Sequence, residues 1–509
     1  MDEMISSNST RESPQETSVS SAALSPAEPA KKSSLGRKVF QNVTAILAGR
    51  AIIIPLSIAT SILLVRFLGR EHMGQYGALY AYLSLFAFLS TGALDQILAR
   101  EASVRRADAA QIFHVATMVA FAFSLLGAAL AYFLGPLFGF HGAMHWLILV
   151  AAVDMLILPP FRQPGVIFQV DMRQWFAVGI GVMRQLLWLI AVALMVLHSA
   201  AFYHVIITRT ICGFAETAAT VFLIRKRGYL TGRRHFVWVE ARDLVHEAFP
   251  LALTTVAISV YQRIDQVMLH KMSGDRVLGP YVVAVQLTEF FSLLPVALMS
   301  TLFPTLSRSA SDPLRFNRYL RESYRFLLVV VFAACAVITP VAAPFVELFY
   351  GKEFLPTAPL LIVLIWSEVP IFFNVVIMNA MIATRIQRFM PLPAFAGAVC
   401  NILLNLVLIP RYGALGASWA TVISYCLANI ILLLFLSETR PLVISGLRVG
   451  ASPFFIVLLI TFILHFLSWS VWIKLAASSL CYTAGVLLTG ALLRSDLERI
   501  WTTVRRQFA

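Results

Sequence analysis

From residue 42 onward the chain alternates apolar runs of twenty or more residues with short polar connectors. A helix needs about 20 mainly apolar residues to cross a bilayer core of about 30 Å, so each such run reads as a membrane-spanning helix. Ending the runs at glycine, proline or clustered charge predicts fourteen spans. They lie at about 42–66, 76–99, 111–134, 143–168, 175–197, 202–224, 249–270, 280–305, 325–347, 357–384, 389–409, 414–437, 450–470 and 475–493. The fold class expected is therefore an all-α polytopic membrane protein. Residues 1–35 are rich in Ser, Pro and Glu, contain no apolar stretch, and read as a disordered cytoplasmic tail without a signal peptide. In residues 494–509, Leu497, Ile500, Trp501, Val504 and Phe508 recur at helical spacing between arginines, which predicts an amphipathic cytoplasmic helix on the inner leaflet or on the bundle.

A repeat divides the chain in two. Gly69-Arg70-Glu71-His72-Met73-Gly74-Gln75-Tyr76 follows the first span, and Gly274-Asp275-Arg276-Val277-Leu278-Gly279-Pro280-Tyr281 follows the seventh. Both read G-x-x-x-x-G-x-Y, and six spans separate them, so the two halves share one orientation about an axis along the membrane normal. The expected units are an N-lobe at 36–224, a basic interlobe linker at 225–248, a C-lobe at 249–437, two further helices at 438–493 and the tail.

Composition agrees with lipid as the main solvent. Of the 509 residues 59% are hydrophobic and 13% charged, whereas soluble domains carry roughly 25% charged residues. A water-soluble enzyme is excluded. The net charge of +14 does not mark a nucleic-acid binder, because the basic residues sit in short connectors instead of forming one stripe. Twenty-eight of them fall on the N-terminal side of the bundle and seven on the other, so the positive-inside rule puts both termini in the cytoplasm. The outer connectors are short and leave no extracytoplasmic domain. Five isolated cysteines within apolar runs, and His141 with His145 at an outer turn, do not compose a metal site. Walker-type loops are absent, and no cofactor is expected.

Charges inside the spans carry the chemical information, since each costs about 2.5–3.5 kcal/mol to insert and normally faces a bundle interior or wet cavity. Arg50, Arg184, Arg209 and Arg263 are candidates for binding an anionic substrate, because a guanidinium fork matches phosphate. Asp154, Glu289 and Glu368 have no evident basic partner on their own helices and are candidates for carrying a coupling proton or cation; Glu216 and Asp265 are weaker ones. The structural alternative is interhelical pairing, with Arg209 on Glu216, Arg263 on Asp265, and Asn401 with Asn405 as hydrogen-bonding glue.

In sequence order, Leu68-Gly69 to Tyr76-Gly77, Ile264-Asp265-Gln266-Val267-Met268-Leu269, Leu302-Phe303-Pro304-Thr305-Leu306-Ser307, and Asn401 to Asn405 with Ile409-Pro410 to Ala417 follow a recognisable pattern. On them the chain resembles the Wzx-like oligosaccharide flippases of the multidrug/oligosaccharidyl-lipid/polysaccharide exporter superfamily. The resemblance implies two six-helix lobes in a V around a cavity, plus two C-terminal helices, and alternating access without ATP. It implies a bacterial inner-membrane protein that moves an undecaprenyl-diphosphate-linked oligosaccharide, surrounded by membrane lipids and working beside a polysaccharide polymerase and chain-length machinery. Arg50 and Arg263, on the first helix of each lobe, match positions where such flippases place substrate-contacting arginines. A drug or metabolite exporter of the same superfamily, and a membrane glycan polymerase or ligase, remain the alternatives.

Overall fold

The computed structural model describes residues 30–91, 94–104, 108–229, 235–467 and 469–490. These residues form helices joined by turns, with no strand among them. The principal helices are α1 (Ala30–Ser84), α2 (Leu94–Val104), α3 (Ala109–Leu134), α4 (Gly142–Ala152), α5 (Trp175–Leu197), α6 (Phe202–Lys226), α7 (Trp238–Ser273), α8 (Asp275–Arg308), α9 (Pro313–Tyr350), α10 (Thr357–Leu364), α11 (Glu368–Ala383), α12 (Pro391–Cys426), α13 (Arg440–Phe466) and α14 (Val471–Leu488). The all-helical polytopic architecture is the one expected. Residues 1–29 and the tail at 494–509, with Arg233 and Arg234 of the linker, lie outside the described residues, while residues 30–35, read as the end of a disordered tail, form the first turns of α1.

Among the described residues, twelve helices are long and apolar enough to cross a membrane, against the fourteen runs in the sequence. The difference comes from two glycines. The first two runs belong to one helical stretch that reverses at Gly69 (φ 65°, ψ −179°), and runs eleven and twelve belong to one that reverses at Gly413. Polar ends also move boundaries. Residues 238–248, read as linker, form the start of α7, because first turns that carry charged residues among apolar ones keep helical hydrogen bonding that a hydropathy window cannot register.

The fourth span of each half is broken. Pro159 and Pro160 follow α4, and Pro370 lies near the start of α11. A proline lacks the N–H for a bond to the carbonyl four residues back, so the backbone must adjust upstream. After α4 it forms a π-helical turn at Val153–Ile157; after α10 it forms a 3₁₀ turn at Ile365–Ser367. A buried carboxylate stands at each break, Asp154 in one half and Glu368 in the other.

The repeat proves to be a joint between the halves. Gly69 and Gly274 (φ 81°, ψ 167°) occupy backbone space open essentially to glycine alone, and each reverses the chain. A Cβ on Gly74 would stand 2.0 Å from the carbonyl oxygen of Asp275, and a Cβ on Gly279 would stand 2.0 Å from that of Arg70. Each copy's second glycine thus receives the carbonyl that follows the other copy's first glycine. At the same end, opposite the start of α1, Arg66 donates to the carbonyls of Phe349 (2.7 Å) and Leu348 (2.6 Å) at the C-terminus of α9. Such a cation satisfies carbonyls the helix leaves orphaned. At the opposite end Arg100 makes a two-point contact with Glu247 across the halves. Helices α13 and α14 pack against α9, where Ser478 and Tyr482 donate to the carbonyls of Ala336 and Val329, each at 2.7 Å.

Candidate functional site

Between the halves, around mid-bundle, lies a cavity of about 460 Å³, within the range of small-molecule sites. Its walls are polar where α1 contributes Ser57, Thr60 and Ser61, α5 contributes Arg184 and Gln185, and α8 contributes Gln286 and Glu289. Ser61 donates to Gln286 Oε1 at 3.1 Å and Gln185 Nε2 to Thr60 at 3.2 Å, so α1 is tied to both flanking walls.

The N-terminal wall holds a charge cluster built on the break after α4. Asp154, 3% exposed, meets Arg162 Nη2 at 3.0 Å, Arg184 Nη2 at 3.4 Å and Arg209 Nε at 3.5 Å. Glu216 meets Arg162 Nη1 at 2.7 Å and Arg184 Nη1 at 3.3 Å. Gly213 makes room for the carboxylate, since a Cβ there would fall 2.1 Å from Asp154 Oδ1. Arg209 also donates to the Tyr76 hydroxyl, and its guanidinium carbon lies 3.9 Å from the centroid of the Tyr80 ring, in cation–π contact. Three guanidinium groups against two carboxylates leave this wall with one excess positive charge, and Arg184 and Arg209 line the cavity.

The pairing differs from the expected same-helix pairs. Arg209 and Glu216 share a face but stand about 10 Å apart along the axis, so each finds partners elsewhere: Arg209 on Asp154, Glu216 on Arg162 and Arg184. Arg263 and Asp265, two apart on α7, face different ways. Arg263 pairs with Glu289 of α8 at 2.7 Å, so Glu289, read as lacking a basic partner on its own helix, takes one from another. Asp154, read the same way, has three: Arg162 within its own expected span, and Arg184 and Arg209 from other helices. Arg50 is exposed on α1 and does not line the cavity. Arg162, counted among surface connector residues, sits within the cluster; the signal for it is the Pro159-Pro160 break, which folds the chain back so that a residue eight positions on reaches Asp154. Tyr76, which lines the cavity, and Tyr80, whose ring stacks on Arg209, were likewise not singled out as site residues.

The C-terminal half has the opposite balance. Asp265, 3% exposed, accepts hydrogen bonds from the Tyr281 hydroxyl, from Thr421 Oγ1 at 3.4 Å and from the Gln266 N–H at 2.7 Å. Glu368, 2% exposed, has Ser292 Oγ 2.9 and 2.8 Å from its two oxygens. No basic side chain pairs with either among the described residues. The repeat tyrosines express this polarity: Tyr76 takes an arginine, Tyr281 an aspartate. Asn405 donates to Asn401 Oδ1 at 2.8 Å and Asn401 to Ser424 at 3.1 Å, so the polar stripe expected to bond a neighbouring span ties together the two arms of α12 on either side of Gly413. His145 stacks on Tyr132 and bonds its carbonyl, and His141 bonds the Gly139 carbonyl. Among the described residues no three His, Cys, Asp or Glu side chains are grouped to hold a metal.

Residues 63–359, more than half of the chain, match the family described as polysaccharide biosynthesis protein. The lipid II flippase MurJ of Bacillus subtilis is 28% identical over 198 residues, 36% of this chain and 36% of that relative. The probable low-salt glycan biosynthesis flippase Agl15 of Haloferax volcanii is 22% identical over 200 residues, 39% of this chain and 42% of that one. The chain thus spans well under half the length of the curated relatives it matches. A lipid II flippase MurJ structure in an inward closed conformation superposes with a TM-score of 0.69 at 16% identity, over 87% of this chain and 97% of that one. An inward-facing multidrug resistance MATE family transporter of the MOP superfamily gives 0.61 at 13% identity, over 77% and 95%. These two likenesses establish a shared fold. The resemblance read from the sequence holds, and the chain belongs to the polysaccharide biosynthesis protein family, with the fold of the multidrug/oligosaccharidyl-lipid/polysaccharide exporter superfamily.

Proposed function

We propose that this protein is a flippase that carries a polyprenyl-diphosphate-linked oligosaccharide repeat unit from the cytoplasmic to the outer leaflet, for surface or exopolysaccharide assembly. The observation that carries the reading is the net-positive cluster on the N-terminal wall of a polar cavity between the halves, with Arg184 and Arg209 turned into it. A diphosphate supplies several oxygens for such forks. The family match and the two flippase relatives lend support.

In this reading the halves, an N-lobe at 36–224 and a C-lobe at 249–437 joined through 225–248, rock about the joint formed by the repeat. Substrate must bind the two arrangements with different affinity, or it would shift nothing. The diphosphate competes with Asp154 and Glu216 for Arg184 and Arg209, and with Glu289 for Arg263; a carboxylate released from its arginine is left to take up a proton. Asp265 and Glu368, which have no such partner, are the sites for a resident coupling proton or cation. Arg50, toward the start of α1, meets the substrate on its approach. The chain resides in the bacterial inner membrane with both termini cytoplasmic, and hands its product to a polymerase and chain-length machinery.

The test is translocation of fluorescent polyprenyl-diphosphate oligosaccharide in vesicles holding the purified protein. Arg184→Ala and Arg209→Ala are expected to slow it at least tenfold, since a charge-assisted hydrogen bond is worth about 1.5–3 kcal/mol. Equal rates in wild type and both variants would end this reading.

A further inference from the structure

A second concavity, of about 620 Å³, opens along the seam between α3 and the first turns of α7. Its walls are hydrocarbon, from Val119, Ala122 and Phe123 on one side and Phe236, Val245 and Phe249 on the other. Of the side chains that line it, only Arg242 and His246 are ionisable, and none is acidic. It shares no lining residue with the central cavity.

We infer that this groove binds one anionic phospholipid, with an acyl chain between α3 and α7 and its phosphate on Arg242. Both helices are long and apolar enough to span the bilayer, and Phe123, Phe236, Trp238 and Phe249 stand exposed along the groove, as side chains turned toward lipid do; an apolar concavity there fills with hydrocarbon. Its length supports a phospholipid over a long polyprenyl chain. From Trp238 to Pro250, twelve residues of helix rise about 18 Å, close to one leaflet's share of a roughly 30 Å core. Arg242 lies one turn into α7, at headgroup level. Its Nη2 stands 3.5 Å from Asp243 Oδ1, both side chains mostly exposed, a pairing weak enough to yield to phosphate. The backbone just before α7 is held in place, since Gln111 accepts from the His235 N–H at 3.1 Å and donates to its carbonyl. Because α3 and α7 belong to different halves, the lipid bridges them beside the Arg100–Glu247 contact and favours the arrangement in which that end is joined. None of this depends on what the central cavity carries.

Native mass spectrometry of the full-length protein, offered equal phosphatidylglycerol and phosphatidylcholine of one chain length, tests the site. One phosphatidylglycerol is expected to stay bound with about tenfold preference, the scale of one charge-assisted contact. Arg242→Gln should bring the preference close to parity, and Ala122→Phe, which fills the groove, should release both lipids without loss of thermal stability. Should Ala122→Phe fail to fold, the Arg242→Gln result stands, because that change leaves the walls intact. No preference in the wild type, an undiminished preference in Arg242→Gln, or retention by a folded Ala122→Phe protein overturns the proposal. So does displacement of phosphatidylglycerol by an equal amount of polyprenyl phosphate, which would make the groove a berth for the carried lipid.

Discussion

Asp154 is the side chain on which the charged wall is organised, and its loss would leave three guanidinium groups short of a partner. Removing one member of a buried ion pair typically costs about 3–5 kcal/mol, so Asp154→Asn should unfold at markedly lower denaturant or temperature. Arg162→Gln, which strips one of the two arginines shared by Asp154 and Glu216, is expected to destabilise in the same direction, read by the same melting curves. Glu368 is different: Ser292 is its hydrogen-bond partner and no base opposes it among the described residues, so Glu368→Gln should keep the melting temperature within a few degrees. Transport by that variant should lose its dependence on the driving ion gradient, measured in vesicles with and without an imposed gradient; an unchanged dependence would remove Glu368 from coupling. The sequence revealed several of the buried charges, Asp154, Asp265 and Glu368 among them, because charge in an apolar run is conspicuous, but it read Arg50 the same way although Arg50 is exposed. It did not reveal their partners, because pairing is set by a π-helical turn and a proline break that bring residues from three segments together. Arg162 illustrates the limit: it follows two prolines at what reads as a helix end, where a basic residue ordinarily belongs to the surface.

Helices were legible for the reason charges were: apolar runs of bilayer length have few other solutions. Their ends were less so. The start of α7 is polar and was read as linker, whereas the breaks expected after 66 and after 409 fall at the reversals of Gly69 and Gly413. The glycine repeat was visible as a pattern, but its purpose required three dimensions, since the atoms that exclude a side chain at Gly74 belong to Asp275 and those at Gly279 to Arg70. Alanine at either site forces two backbones apart. Gly74→Ala and Gly279→Ala should each weaken contact between the halves at that end, detected as a fall in disulfide cross-linking between cysteines introduced at Arg66 and Leu348. Gly179→Ala is the control, because no atom lies within 4 Å of its added Cβ; it should leave cross-linking unchanged and, by restricting the unfolded chain, raise stability by about 0.4–1 kcal/mol.

Across the whole molecule the halves share a plan and differ in sign. Each breaks its fourth span at an acid and carries the tyrosine of the repeat, yet the N-terminal wall is dominated by arginines and the C-terminal half by carboxylates. A dipolar chamber of this kind suits an anion bound on one side while a cation or proton resides on the other. Cys212 offers a native reporter, since it lines the chamber. Its labelling by a membrane-permeant thiol reagent should slow when polyprenyl diphosphate is added, and a rate indifferent to the ligand would argue against occupancy beside Arg209. The reciprocal fit of the two glycine turns has one more consequence. Neither turn is an independent part: each is cut to the backbone of its counterpart, like two castings from a single mould. A chimaera spliced from two relatives at mid-chain should therefore assemble poorly when its turns come from different parents, and recover once the second is exchanged for the one that grew up with the first.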